Sequence, residues 1–295
     1  MSTFLQALIS GLMAGGVYAL ISMGLTLIFG VMRVINFAHG EFLMLGMYAA
    51  VFLSQLLGLD PYVSVLLIAP VFFGLGVLVQ RGVILPLVRK GAPHATQALA
   101  TLGLSVVIVN LVLIVASGRS QIVTTAYTTM VLRWGDLAFS VPRLLAFGAA
   151  LVAAGLLYFL LNHTYAGMAI RATAQDRRAA DLLGIPTQKI DAITFGLGIA
   201  CVGVAGAIMV PFFYVHPTVG LSLGLVAYII VVLGGMGSMV GAFLGGLMIG
   251  VVESFTGFYL DPGLKELIYL LLFVAVLIFM PWGLFGLKGS EKLGD

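Results

Sequence analysis

The 295 residues are 61% hydrophobic and only 8% charged, with a formal net charge of +3 and a mean hydropathy of +1.18. Soluble domains carry roughly 25% charged residues, so too little polar side chain is present to clothe a water-soluble fold. Basic residues are too dispersed for a nucleic-acid face. The single cysteine, Cys201, excludes an intrachain disulfide, and four scattered histidines do not suggest a metal site.

A helix crossing the hydrocarbon core needs about 20 apolar residues, and only helices and closed barrels satisfy their backbone there. The long apolar runs lack the alternation of barrel strands. Charge-free stretches occupy 4–32, 42–59, 61–80, 95–118, 144–162, 192–252 and 267–287. The stretch 192–252 is long enough to cross more than once. The expectation is an all-α integral membrane protein with about eight transmembrane helices, interrupted in both halves. It forms a single domain over 1–295.

The first stretch has no charged residue before Arg33, and its apolar run exceeds the roughly 7–15 residues of a signal-peptide core. It reads as a retained membrane segment. It leads into Arg33-Val-Ile-Asn36-Phe-Ala-His39-Gly40-Glu41, after which hydrophobicity resumes. Ionisable groups inside a bilayer cost about 2.5–3.5 kcal/mol on insertion scales and usually face a cavity or a partner. Arg33, His39 and Glu41 therefore line a polar path, brace a broken helix, or snorkel near the interface. Asn36, His39 and Glu41 are the first candidates for a translocation pathway.

Arg81, Arg89 and Lys90 stand in the 81–94 loop without an acid, and Arg171, Arg177, Arg178 and Lys189 in the loop 163–191. The positive-inside rule places both loops in the cytoplasm. Arg119, Arg133 and Arg143 in the intervening loop weaken that vote without reversing it. Within 163–191, Met168, Ala172, Ala179 and Leu183 share one predicted helical face, and Arg171, Gln175 and Arg178 another. Gly184 stands where a C′ glycine ends a helix, and Pro186 enforces the stop. The local pattern is that of an amphipathic helix resting on the headgroups.

Glycines are dense at Leu233-Gly-Gly235-Met-Gly237-Ser238, where a helix breaks for want of side chains to pack. Partial entry of 225–234, with 240–252 returning to the same side, brings Lys288 and Lys292 to the cytoplasm and leaves Glu253, Asp261 and Glu266 outside. Broken segments in both halves of a transporter mark its substrate pathway, which adds Gly235, Gly237 and Ser238 to the candidates. Gly11/Gly15, Gly241/Gly245 and Gly246/Gly250 are pairs that permit close helix approach. Pro211 and Pro217 bracket an outer turn. No P-loop spacing occurs, so ATP dependence must reside in another polypeptide. No nucleophile–base constellation suggests an enzyme.

Three segments carry a resemblance. Arg171–Pro186 resembles the cytoplasmic coupling loop of branched-chain amino acid ABC importer permeases. Gly24 through Glu41 is similar to that family's N-terminal signature, and Val232 through Ala242 to its C-terminal one. Length and tail resemble the H-type subunit of the leucine/isoleucine/valine system. The resemblance implies a permease of the bacterial cytoplasmic (inner) membrane that moves branched-chain or other hydrophobic amino acids. It also implies a second related permease subunit, two ATP-binding cassette ATPases that bind the ATP, and a periplasmic or lipid-anchored binding protein. The loop would couple to the ATPase through Arg171, Gln175, Asp176, Arg178, Ala179, Ala180, Leu183 and Gly184. It departs from the familiar Glu-Ala-Ala-before-glycine pattern, having Asp176-Arg177-Arg178-Ala179-Ala180 there. A urea or short-amide permease of the same family and a stand-alone secondary transporter are the alternative readings.

Overall fold

The computed structural model describes residues 2–116, 118–280 and 282–286. Helix α1 (Ser2–Met32) leads through an irregular stretch to α2 (His39–Leu57), and α3 (Pro61–Val79) continues through a π-turn into α4 (Leu85–Arg89). Then come α5 (His94–Ala116), a hairpin of β1 (Val131–Trp134) and β2 (Leu137–Ser140), and α6 (Val141–His163). The chain continues with α7 (Tyr165–Gln175), α8 (Arg177–Leu182), α9 (Thr187–Met209), α10 (Val219–Gly234), α11 (Met239–Tyr259) and α12 (Lys265–Phe279). Among the described residues, eight helical spans are long and apolar enough to cross a membrane, and the 16-residue α10 is a shorter apolar helix beside them. The protein is an all-α integral membrane protein.

Local chemistry sets several boundaries. Gly58 closes α2 with a left-handed φ of 64°. Asp60 then caps α3, accepting from the Tyr62 amide at 2.8 Å, and Pro61 occupies the first turn where its missing N–H costs nothing.

The connections sort to two ends of the bundle. At one end the Gln6 amide donates to the Ala138 carbonyl (2.7 Å), Tyr127 donates to Asp60 (2.5 Å), Tyr62 donates to the Pro142 carbonyl (2.6 Å), and Gln121 pairs with Val215. At the other, Arg89 donates to Gln188 (2.9 Å), and residues of 31–34, 88–97, 173–178 and 191 line one cavity. The second end carries Arg33, Arg89, Lys90, Arg171, Arg177, Arg178 and Lys189, and is called the basic end below. Residues 282–286 return to it: Leu284 donates to the Leu233 carbonyl (2.8 Å) and Phe285 to that of Gly234 (3.1 Å). Lys288 and Lys292 lie outside the described residues.

Helices α1 and α9 are the buried centre, whereas α3, α5 and α12 turn most of their apolar surface outward. α11 runs antiparallel along α1 from the basic end, and Ser254 donates to the Ala7 carbonyl at 2.7 Å. The glycine pairs make this contact possible. A Cβ on Gly11 would lie 2.6 Å from the Val251 Cα, and one on Gly15 2.8 Å from the Leu247 Cα. Gly246 and Gly250 face Ala19 and Gly11/Gly15 from the other side.

The expected interruptions are present, but the second differs in position. α2 begins inside the bundle, where His39 Nε2 meets the Ile21 carbonyl midway along α1. α10 begins beside it, with Gly220 and Gly224 packed on Gly40. The glycine run 234–238 is instead a tight turn at the basic end, because Gly235 (φ 99°) and Gly237 (φ 89°) reverse the chain there. Partial entry of 225–234 is therefore replaced by a descent of α10 to the basic end, after which the 21-residue α11 runs the length of its contact with α1. The described part of the tail still reaches the basic end.

Gly15→Val is expected to destabilise the bundle by about 1–3 kcal/mol through overpacking. Gly148→Val, at a helical glycine with nothing within 4 Å of its Cβ position, is expected to be near neutral. Thermal unfolding of the two variants in detergent checks the difference.

Candidate functional site

The loop between α6 and α9 is built on capping side chains. Thr164 caps α7, accepting from the Gly167 amide at 3.1 Å. α7 buries Gly167, Ala169, Ile170 and Thr173 against the bundle. The single helix expected over this segment is two helices. Asp176 leaves helical geometry (φ −148°, ψ 104°) and its carboxylate accepts from the Ala179 amide at 3.0 Å, starting α8. The break interrupts the phase of the predicted face: Met168 and Leu183 are both exposed, and the buried residue of α8 is Ala180.

Two polar contacts fasten α8 to the start of α9. Arg177 forks onto Asp191 with bonds of 3.0 and 2.6 Å, and Thr187 donates to Asp181 at 2.7 Å. Those hydrogen bonds, accepted by the Asp191 carboxylate, hold the Arg177 guanidinium above its ordinary range, so it stays charged up to strong alkali. Gly184 (φ 83°) ends the helical turn, and Ile185 donates back to the Ala180 carbonyl at 3.0 Å.

Among the proposed coupling residues, Gln175, Asp176, Arg178, Ala179, Leu183 and Gly184 are exposed together around this turn. Arg171 is exposed but engaged with Asn162 (2.5 Å). Ala180, 2% exposed, faces its own chain. Leu182, 89% exposed beside Leu183 at 82%, was not singled out by the sequence pattern. Neither were Arg177 and Asp191 as a pair. An Arg–Asp pair spaced fourteen residues apart has no local signature.

The interior break brings Asn36, His39 and Glu41 together, all buried. Side chains satisfy several of its backbone groups. The Phe37 amide donates to Thr101 Oγ1 (3.0 Å), which itself donates to the Ile35 carbonyl (3.1 Å). The Ala38 amide donates to Asn36 Oδ1 (3.2 Å), and Tyr228 of α10 donates its hydroxyl to the Asn36 carbonyl. Arg33 enters the break in a left-handed conformation (φ 55°). Asn36 Nδ2, His39 Nδ1 and the hydroxyls of Ser22 and Thr26 on α1 are buried without hydrogen-bond partners among the described residues. Thr101 and Tyr228 escaped the sequence reading because each acts on a segment remote along the chain.

Gly235, Gly237 and Ser238 lie apart from this cluster, at the basic end. Gly237 packs on Gly30, Gly235 packs on Gly286, and Ser238 caps α11 by accepting from the Gly241 amide at 3.1 Å. The two signature segments thus meet through Gly30–Gly237, and Tyr228, just ahead of the second, reaches Asn36 in the first.

Residues 7–277 match a family described as the permease component of the branched-chain amino acid transport system. The high-affinity branched-chain amino acid transport system permease protein BraD of Pseudomonas aeruginosa is 32% identical over 98% of both chains. The corresponding LivH of Salmonella typhimurium is 30% identical over 98% of both. A probable branched-chain amino acid transport permease protein LivH of Methanocaldococcus jannaschii is 30% identical, covering 92% of this chain and 89% of its own. No solved structure matches. The match takes in the central helix, the interior break, the capped loop and the glycine turn alike, and the chain belongs to the family of branched-chain amino acid transport system permease components.

Proposed function

We propose that this permease is one membrane half of an ATP-driven importer that carries branched-chain amino acids into the cytoplasm across the bacterial inner membrane. The observation that carries the reading is the exposed Leu182–Leu183–Gly184 turn, fastened to the bundle by Arg177–Asp191 and lying at the basic end. The positive-inside rule assigns that end to the cytoplasm, where two ATPase subunits would bind the turn. A second, related permease subunit completes the pathway, and a periplasmic or lipid-anchored binding protein delivers cargo to the opposite end. Asn36, His39 and Glu41, with the unpartnered polar atoms of Ser22 and Thr26, supply a polar interior through which a zwitterion can pass. ATP-driven closure of the ATPases moves the coupling turn, and the bundle opens to each side in alternation.

Leu182→Asp/Leu183→Asp and Gly184→Arg are expected to abolish copurification of the ATPases and to reduce uptake to background, with the permease still inserted. Affinity pull-down and uptake of labelled leucine by vesicles carrying the full assembly check this; intact assembly and transport in both variants would overturn the coupling role. Leucine taken up in preference to urea supports the cargo class, and the reverse supports a short-amide permease. Uptake by proteoliposomes containing this chain alone would instead favour a secondary transporter.

Asp191→Asn is expected to loosen α8 without unfolding the bundle. Breaking a buried pair costs about 3–5 kcal/mol, but Arg177 is 38% exposed and can be resolvated, so about 1–2 kcal/mol is expected here. Hydrogen exchange at 177–184 should accelerate by about tenfold, with exchange in α1 unchanged and ATPase activity less tightly coupled to uptake.

A further inference from the structure

At the end opposite the coupling turn lies a cavity of about 360 Å³ between α1, the start of α6, the segment after α9, and α11–α12. Its volume falls in the range of small-molecule sites, roughly 300–1,000 Å³. Its wall combines opposite charges with apolar surface. Lys265 donates to Glu253 Oε1 at 3.3 Å, while Glu253 Oε2 is buried with no hydrogen-bond partner among the described residues. Tyr18, buried in α1, stands beside the Glu253 carboxyl. Arg143, also on the wall, has no carboxylate within ion-pair distance among the described residues. Met13, Phe212 and Phe213 supply the apolar side.

We propose that this cavity is a recognition site for the zwitterionic head of an aliphatic α-amino acid. The wall carries two cations and one carboxylate, so it offers a partner to each charge of a zwitterion. A ligand ammonium donates to the free Glu253 Oε2, its carboxylate accepts from Arg143 and Lys265, and its side chain packs on Met13, Phe212 and Phe213. Buried charge-assisted bonds of this kind are among the stronger polar contacts. Val17 and Tyr18, both core residues of α1, form part of the lining. A ligand therefore sits within the bundle, which favours a small solute over a lipid headgroup. The proposal rests on the transport reading above and adds that this chain, as well as a binding protein, discriminates cargo where it enters.

The test is equilibrium binding of labelled L-leucine to the full chain in nanodiscs of phosphatidylcholine and phosphatidylglycerol. Saturable binding is expected. 4-Methylpentanoate, which lacks the ammonium, and leucinamide, which lacks the carboxylate, should each compete about tenfold or more less well than leucine. Glu253→Gln and Arg143→Gln should each weaken leucine by about tenfold or more, whereas Glu253→Asp, which keeps the charge, should lose less than Glu253→Gln. If Glu253→Gln fails to fold, Glu253→Asp and Arg143→Gln carry the comparison. No leucine binding, or equal binding by wild type and Arg143→Gln, overturns the site. So does native mass spectrometry in which wild type retains added phosphatidylethanolamine and leucine fails to displace it. Uptake by the complete assembly separates the two levels. Wild-type leucine uptake with an unchanged KM in Arg143→Gln overturns the site alone, a raised KM supports it, and absence of wild-type leucine uptake overturns the transport reading itself.

Discussion

The close approach of α1 to α9 and α11 is the constraint on which the other contacts rest. In a bilayer, lipid tails are as apolar as leucine, so helices associate through dispersion and small-residue packing instead of a hydrophobic drive. α1 meets that requirement with glycine on both sides of its contacts. Gly11 and Gly15 face the Gly246–Gly250 segment, and a Cβ on Gly24 would stand 2.6 Å from the Gly198 carbonyl. Gly46 and Gly203 repeat the arrangement between α2 and α9. Side chains at these positions would push apart the helices that frame both the interior break and the opposite cavity.

Such tight packing lets the chain hold irregular backbone inside the bundle. Non-helical peptide groups are tolerated at membrane depth only where protein or a cavity satisfies them. Here Thr101 from α5, Tyr228 from α10 and Asn36 itself supply those partners. α2 and α10 start next to each other and leave toward opposite ends, which gives the two halves a shared junction at Gly40–Gly220. Glu41 lies in the first turn of α2, where a carboxylate complements the positive end of the helix dipole. The break is thus a braced structure, and several polar atoms beside it, His39 Nδ1, Asn36 Nδ2 and the hydroxyls of Ser22 and Thr26 on α1, are buried without partners among the described residues.

Hydrophobic run length made the helical class and nearly every span legible, because bilayer thickness imposes its own period on the sequence. The Arg33–Glu41 interruption was legible for the same reason: charge and amide side chains appear where apolar ones should continue. The second interruption was misplaced because the glycine run 234–238 looks more disruptive than 210–218. What draws the start of α10 inside is the contact of Gly220 and Gly224 with Gly40, remote in sequence. The split at Asp176 was hidden by intact alanine periodicity on both sides. An aspartate tolerates a helix interior but gains more by capping the amide three residues on. Leu182 was passed over because its exposure depends on that split.

The anchoring of α8 bears on how a load applied there would travel. Its attachments converge on one neighbour: Arg177 on Asp191 and Asp181 on Thr187, both in the first turns of α9. α9 in turn packs along α1, α2 and α3, with glycine contacts at Gly196, Gly198 and Gly203. Interlocked backbones of this kind shear poorly, because each glycine face admits little sliding before a neighbouring side chain intrudes. A displacement of α8 would then be transmitted chiefly as a rigid motion of α9 and its partners, with little bending of the loop. α7 is seated separately, through Thr164, Gly167 and Ile170, and the non-helical Asp176 between them is the point at which the two helices can change angle. The capped break thus separates α8, fastened to the start of α9, from α7, which packs on α6 and α9.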